Sequence, residues 1–208
     1  GIAQANKALE LLSRYPKTER VKALYGEAFL LRAYLHFMLV NIWAEPYGGA
    51  SDNLGIPYIT KPEKHALVNY ERGTVNEVYD KIEKDLRLGI SLVSDNYYTH
   101  PKFHFNKKAA YAFATRFYLM KGEWQSVIEY ADYVLGSEPK SQLRSWRHYA
   151  DEMEFSPQNL YHRYMAVDEP ANLLLTTTES RWARSVVNEK YGSTFNTIDK
   201  IFAQRGIE

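Results

Sequence analysis

The sequence predicts a mainly α-helical fold, built from helical hairpins joined by long loops and with little strand content. Three observations predict it. Apolar residues recur at spacings of three and four in five separate stretches, the period of one helix face. Side-chain caps stand at the start of several of these stretches. Two of them, 107–121 and 124–136, are separated only by the turn Lys121-Gly122-Glu123, which makes them an antiparallel hairpin.

The elements follow in order. Ile2, Ala5, Ala8, Leu9 and Leu12 form the apolar face of a helix over 2–14, which Pro16 ends. Thr18 caps the next helix, 19–44, with Glu19 in its first turn against the positive end of the helix dipole. Val21, Leu24, Ala28, Leu31, Leu35, Met38 and Ile42 make a stripe that Tyr25, Phe29, Tyr34, Phe37 and Val40 widen almost all round. A helix apolar on most sides is buried on most sides, so this one is central. Its polar interruptions are Glu27, Arg32 and His36. Glu27 and Arg32 lie five apart, a spacing that does not pair them. Tertiary hydrogen bonds to neighbouring loops are expected instead. The most apolar run, 28–43, is short for a membrane span and contains Arg32, His36 and Asn41, so it reads as a buried helix.

Residues 45–73, punctuated by Pro46, Gly48, Gly49, Gly55, Pro57, Pro62 and Gly73, form a long loop. Loops of that length are functional or wrap the domain, and Ile56-Pro57-Tyr58-Ile59 is apolar enough to lie against the helices. Thr74-Val75-Asn76-Glu77 is a capping box opening a helix to about Val93. Its core face is Val75, Val78, Tyr79, Ile82, Leu86, Ile90 and Val93. Its outer face carries Glu77/Lys81, Asp80/Lys84 and Glu83/Arg87 at i,i+4, expected to be a solvated surface. An aromatic loop over 94–105 leads to Asn106, the cap of helix 107–121, whose alanines permit close approach of a neighbour. Trp124, Val127, Ile128, Ala131, Val134 and Leu135 line one face of helix 124–136. Residues 137–208 are less regular, with a strand or strand-like loop over 172–178 and a final helix over 196–202. Both ends of the chain read as interior to something longer.

Composition narrows the chemistry. The chain has 208 residues of which 45% are hydrophobic, enough for a real core and too many for a disordered segment. Its net charge of +1 supplies no global attraction to nucleic acid or anionic membrane. The absence of cysteine excludes disulfides, zinc–thiolate sites and thiol catalysis. Seventeen tyrosines, nine phenylalanines and four tryptophans are the unusual feature. Aromatic faces stack on flat ligands such as sugars, although most of these rings are expected to fill helix–helix contacts.

The hairpin pattern Ala-x3-Ala…Leu119-x2-Gly122-x-Trp124…Ala131 resembles a tetratricopeptide repeat. Such a unit needs neighbours to bury its face, and the other helices supply them. Four blocks in order resemble the SusD/RagB family. They are Gly26-Glu27-Ala28-Phe29-Leu30-Leu31-Arg32-Ala33-Tyr34 with the turn from Trp43 to Gly48; Gly55-Ile56-Pro57-Tyr58; Arg72-Gly73-Thr74-Val75-Asn76-Glu77-Val78-Tyr79 with Asp85-Leu86; and Ala109 to Leu135. The match spans about 1–136. Its one departure is Trp43-Ala44-Glu45-Pro46, with Ala where Gly is usual.

The resemblance implies a surface glycan-binding lipoprotein of Bacteroidetes, longer than this chain and anchored to the outer membrane through a lipidated N-terminal cysteine that this chain lacks. It implies the non-catalytic capture of oligosaccharide, or sometimes peptide, for delivery to a SusC-like TonB-dependent transporter. It implies no cofactor, no metal, no nucleic-acid partner, and membrane contact only through the anchor. Residues 1–136 are then the SusD-like helical region, and 137–208 an irregular segment leading toward a C-terminal half. The alternative is a tetratricopeptide-type module that binds a protein, which needs only the 107–136 hairpin. An all-α glycosidase finds no carboxylate pair in an apolar setting to support it.

His100-x3-His104 has metal-ligand spacing for a helix, but Pro101 lies between the two residues. Asp151-Glu152-Met153-Glu154 lacks the alternation of a calcium loop. Trp43, Tyr79 and Trp124 sit on periodic faces and are expected in the core. The candidate glycan contacts lie outside such faces: Trp146, Arg147 and Tyr149 beside Arg144; Tyr97 and Tyr98 beside Asp95 and Asn96; and Trp182 between Arg181 and Arg184.

Overall fold

Helices form where the apolar periodicity puts them: α1 (Ile2–Leu12), α2 (Glu19–Trp43), α3 (Val75–Leu92), α4 (Lys107–Lys121) and α5 (Trp124–Leu135). Each ends within two residues of its expected limit. The computed structural model describes residues 1–50, 52–63, 65, 68–147, 149 and 162–175. Thr18 accepts from the Val21 amide and Asn106 from the Ala109 amide. Thr74 and Glu77 close the expected capping box. Among the described residues the pairing of extended backbone is limited to one isolated antiparallel bridge, Leu54 with Thr74.

α2 is the central element and packs against α1, α3 and α4. Leu30, Phe37 and Val40 of α2 meet Val78, Tyr79, Ile82 and Leu86 of α3 and Phe113 and Phe117 of α4. The rings of Phe37 and Phe113 lie 5.5 Å apart, and those of Tyr79 and Phe117 lie 5.5 Å apart. Burying each large apolar side chain of this kind stabilises the fold by about 1.5–3 kcal/mol. The α2–α3 crossing is unusually close. A Cβ on Gly26 would stand 2.4 Å from the Val93 nitrogen, and one on Gly89 would stand 2.6 Å from Leu30 Cγ. Two facing glycines therefore set the helix separation.

The polar interruptions of α2 are satisfied largely from other elements, as expected, with one His36 contact made inside α2. Arg32 makes a bidentate pair with Asp85 of α3, at 2.6 and 2.8 Å, and donates to Asn6 of α1 at 3.1 Å. Tyr58 of the long loop donates to the same Asp85 at 2.5 Å and stacks on His36 with centroids 3.9 Å apart. His36 Nδ1 faces the Arg32 carbonyl at 2.8 Å, while its Nε2 accepts from the Ile59 amide at 3.0 Å. Asn6 donates to the Ile59 carbonyl. This network fastens the long loop across α1, α2 and α3. By length and composition α2 is apolar enough to cross a membrane. Its buried, fully partnered Arg32 and His36 instead mark it as a core helix.

Three expectations are corrected. Glu83 does not belong to a solvated face: it accepts from Lys121 at 2.6 Å and from the Tyr118 hydroxyl at 3.0 Å, and Arg87 reaches it only at 3.7 Å. Trp43 and Trp124 are exposed, at 66% and 65%, whereas Tyr79 is buried as expected. Trp43 lies one turn beyond Val40, the last buried residue of α2. Trp124 opens α5, which has no buried residue and is the outer layer over α4. It is held there by stacking of Tyr130 on Tyr118 and of Tyr133 on Tyr111. Gly122 turns the hairpin with φ +76°, in the left-handed region that glycine adopts without strain.

Candidate functional site

After α5 the chain turns through Pro139–Gln142 and brings Arg144 to the centre of a polar-aromatic cluster. Arg144 donates to the Tyr149 hydroxyl at 2.9 Å, to the Tyr164 carbonyl at 3.2 Å and to Asn172 Oδ1 at 2.7 Å. Its guanidinium lies 3.9 Å from the Tyr164 ring centroid, a cation–π contact. Tyr149 is buried and donates to Glu169 at 2.5 Å. Burial and that carboxylate push the Tyr149 hydroxyl pKa up. The hydrogen bond from Tyr149 holds Glu169 below the usual carboxylate range. The proton therefore stays on the phenol and the charge on Glu169. Arg163 pairs with Asp168 at 3.0 Å and with Glu169 at 3.6 Å.

Trp146 projects from this base, 63% exposed. Its ring meets Tyr149 edge-on at 5.8 Å and lies beside the partly exposed Tyr164 ring at 6.4 Å, inclined by 33°. Together Trp146 and Tyr164 form an aromatic platform anchored through Arg144.

The segment carrying Tyr164 and Asn172 is tied to the N-terminal end of α4. Lys102 donates to the Glu169 carbonyl at 2.7 Å, Leu175 donates to the Lys102 carbonyl at 2.7 Å, and Asn106 donates to the Leu173 carbonyl at 2.8 Å. Between these parts lies a cleft of about 360 Å³ lined by the polar side chains of Asp95, Lys102, Asn106, Lys108, Gln142 and Asn172.

The residues singled out from sequence fall as follows. Trp146 and Tyr149 come together, Trp146 as a surface ring and Tyr149 as a buried anchor beneath it. Arg147 is exposed on the same stretch. Tyr97 is exposed in the turn Asp95–Tyr97. Tyr98 lies flat on His104, with centroids 4.3 Å apart and 4° between planes. Burial, with Glu27 nearby, raises its hydroxyl pKa. Among the described residues no ring contact joins Tyr97 or Tyr98 to Trp146. His104 is engaged by Glu27 at 2.9 Å, and His100 packs edge-on to Phe103. Trp182 and the acidic run 151–154 lie outside the described residues, as do the residues past Leu175 in the anticipated strand and final helix. Sequence reasoning missed Tyr164 and Glu169. The only signal was the triplet His162-Arg163-Tyr164, of the same basic-aromatic composition as Trp146-Arg147-His148.

Comparison with known proteins gives this geometry a context. Residues 1–119 match the SusD-like family described as "Starch-binding associating with outer membrane". The chain is 27% identical over 147 residues to SusD-like protein P2 of Formosa agariphila, an alignment covering 69% of this chain and 26% of that protein. A SusD superfamily protein from Bacteroides thetaiotaomicron superposes with a TM-score of 0.62 at 24% identity, covering 72% of this chain and 33% of that one. A laminarin-binding SusD-like protein superposes with a TM-score of 0.55 at 26% identity, covering 71% of this chain and 30% of that one. The chain thus spans about a quarter to a third of the length of these relatives. With its helical fold and a family match over more than half its residues, this chain belongs to the SusD-like family.

Proposed function

We propose that this chain contributes to non-catalytic capture of oligosaccharide at the outer-membrane surface, for delivery to a SusC-like TonB-dependent transporter. In this reading residues 1–136 are the helical scaffold. Residues 137–208 carry specificity elements and lead toward the remainder of a longer, lipid-anchored protein.

The observation that carries the proposal is the Trp146–Tyr164 platform beside a cleft of amides, ammonium groups and a carboxylate. A pyranose presents an apolar C–H face to a ring and hydroxyls to such groups, and exposed aromatic area with a few fixed polar partners suits that pairing. In this reading Trp146 and Tyr164 stack on the sugar, Arg147 on the same stretch flanks, and Tyr149 positions, while Tyr97 and Tyr98 join the candidates on their sequence setting. Trp182 joins the candidates on its sequence setting alone. Capture without cleavage agrees with the Glu169 carboxylate of the cluster. Glu169 is held ionised by the Tyr149 hydrogen bond, so it is not the protonated acid that glycoside hydrolysis requires.

The test is a tryptophan-fluorescence titration against a panel of neutral oligosaccharides, including the starch and laminarin series, with Trp146→Ala alongside. Saturable binding by the parent and its loss in the variant is the expected result. Saturable binding that survives the change removes Trp146 from the site. A second reading, protein recognition by the helical hairpin, has one observation in its favour: α4 and α5 expose Leu119, Met120, Trp124 and Ile128. Failure of every sugar to bind, with retention of a protein partner on immobilised chain, favours that reading.

A further inference from the structure

We propose that the cleft at the C-terminal end of α2 is a second carbohydrate contact, selective for neutral over anionic sugars. It rests on the carbohydrate reading above but shares no lining residue with the Trp146 cluster. The cleft measures about 540 Å³ and is lined by Trp43, Glu45, Asp52, Asn53 and Arg72 among others. Trp43 presents two thirds of its surface to solvent in the wall of this cleft.

The far wall is rigid. The Leu54–Thr74 bridge, the Gly55 amide on the Gly73 carbonyl at 2.8 Å and the Val75 amide on the Asn53 carbonyl at 2.8 Å fix the backbone on which Asn53 stands. Arg72 is clamped by Nε on the Gly55 carbonyl at 2.5 Å and by one terminal nitrogen on the Leu54 carbonyl at 3.0 Å. Its second terminal nitrogen, the Asn53 side-chain carboxamide, the Glu45 and Asp52 carboxylates and the Trp43 indole N–H make no hydrogen bond among the described residues. A wide ring face and polar groups on a fixed frame, none occupied by the protein itself, are what a sugar needs: stacking for its C–H face, acceptors and donors for its hydroxyls.

The charges choose among sugars. Two carboxylates, Glu45 and Asp52, and one guanidinium, Arg72, line the cleft, and the negative end of the α2 dipole adds to the carboxylates. Hydroxyls donate to carboxylates, whereas uronates and sulfate esters are repelled.

The experiment uses the chain with its four tryptophans replaced by 5-fluorotryptophan, the fluorine lines being assigned by single Trp→Phe variants. Maltohexaose, laminarihexaose and hexagalacturonate are titrated separately to millimolar concentration. The expected result is a saturable shift of the Trp43 line with a neutral hexamer and none with hexagalacturonate. Trp43→Ala, and separately Asn53→Ala, weaken binding at this site by about tenfold, the loss of one stacking or hydrogen-bonding partner. Trp43 is exposed, so its removal leaves the melting profile unchanged as a control. A Trp43 line that neither neutral hexamer moves, or that hexagalacturonate moves equally, overturns the inference. The Trp146 line separates the two proposals. Its shift without that of Trp43 sinks this second contact and leaves the Trp146 site standing. The reverse supports the α2 cleft and removes Trp146.

Discussion

The Arg32–Asp85 pair gives the most exacting test of how this fold is held. Asp85→Asn keeps the shape and removes the charge. Arg32 and Asp85 are 7% and 6% exposed, so the remaining guanidinium stays out of water. It loses one of the two Asp85 oxygens that accept from it, and the introduced NH2 group points a donor at donors. Tyr58 also gives its proton to Asp85 and competes for the remaining oxygen. Removing one partner of a buried pair destabilises a protein by about 3–5 kcal/mol, because an uncompensated charge remains. For a chain of this size that corresponds to a fall in melting temperature of about 6–20 °C. Urea unfolding followed by circular dichroism at 222 nm measures it directly, and the midpoint falls without a change in slope. The double variant Arg32→Met/Asp85→Leu removes both charges and is expected to lose less than Asp85→Asn alone. A loss below about 1 kcal/mol for Asp85→Asn, the range of a solvated surface pair, would refute the reasoning. So would a double variant that loses more than Asp85→Asn alone.

Other outcomes follow from the same geometry. Gly26→Ala drives a Cβ to 2.4 Å from the Val93 backbone, so helices α2 and α3 must separate; it should destabilise more than Gly89→Ala, whose nearest obstacle is the movable Leu30 side chain, in parallel urea titrations. Burial lowers the His36 pKa, so the unfolded chain takes up the proton first. The His36 contribution is complete above about pH 6.5 and is lost as pH falls toward its folded value, with a slope of up to about 1.4 kcal/mol per pH unit that His36→Gln should flatten. Thr74→Ala opens the capping box and should cost about 1 kcal/mol by thermal melting. Tyr149→Phe removes the hydroxyl between Arg144 and Glu169 but leaves Trp146 in place, so it should weaken glycan binding less than Trp146→Ala does; an equal or larger loss would make Tyr149 a direct contact.

What the sequence discloses about this molecule depends on whether the signal is local. Helix limits are legible because caps and period are written within a few residues: Thr18, Thr74 and Asn106 each accept the amide three positions on, and Gly122 stands where the left-handed turn requires it. The satisfaction of the Arg32 guanidinium and of His36 Nε2 from outside α2 is also legible in kind, since α2 carries no carboxylate at pairing distance from Arg32. Their actual partners are not. Asp85 lies 53 positions from Arg32; the period of α3 puts it on the core face, seven residues after Val78, and Asp80 on the outer one, but period alone does not say which cation it meets. Periodicity likewise reports which face a residue occupies but not where its neighbour ends. Trp43 is in phase with buried Val40 yet stands past the last packed turn of α2, and Trp124 lies on the apolar face of α5, an outer helix without a buried residue. The candidate site is the extreme case. Trp146 was legible as an aromatic without a periodic role, but its platform is completed by Tyr164 and its support by Glu169 and Asn172, all supplied by a segment that returns across the loop before α4. A site assembled from several loops leaves no spacing to read. Its side chains can be found only through the hydrogen bonds that bind those loops together, here Lys102 to Glu169 and Asn106 to Leu173. The same logic extends to Trp43, whose cleft is also lined by Asp52, Asn53 and Arg72, residues far apart in the long loop that the Leu54–Thr74 bridge brings together.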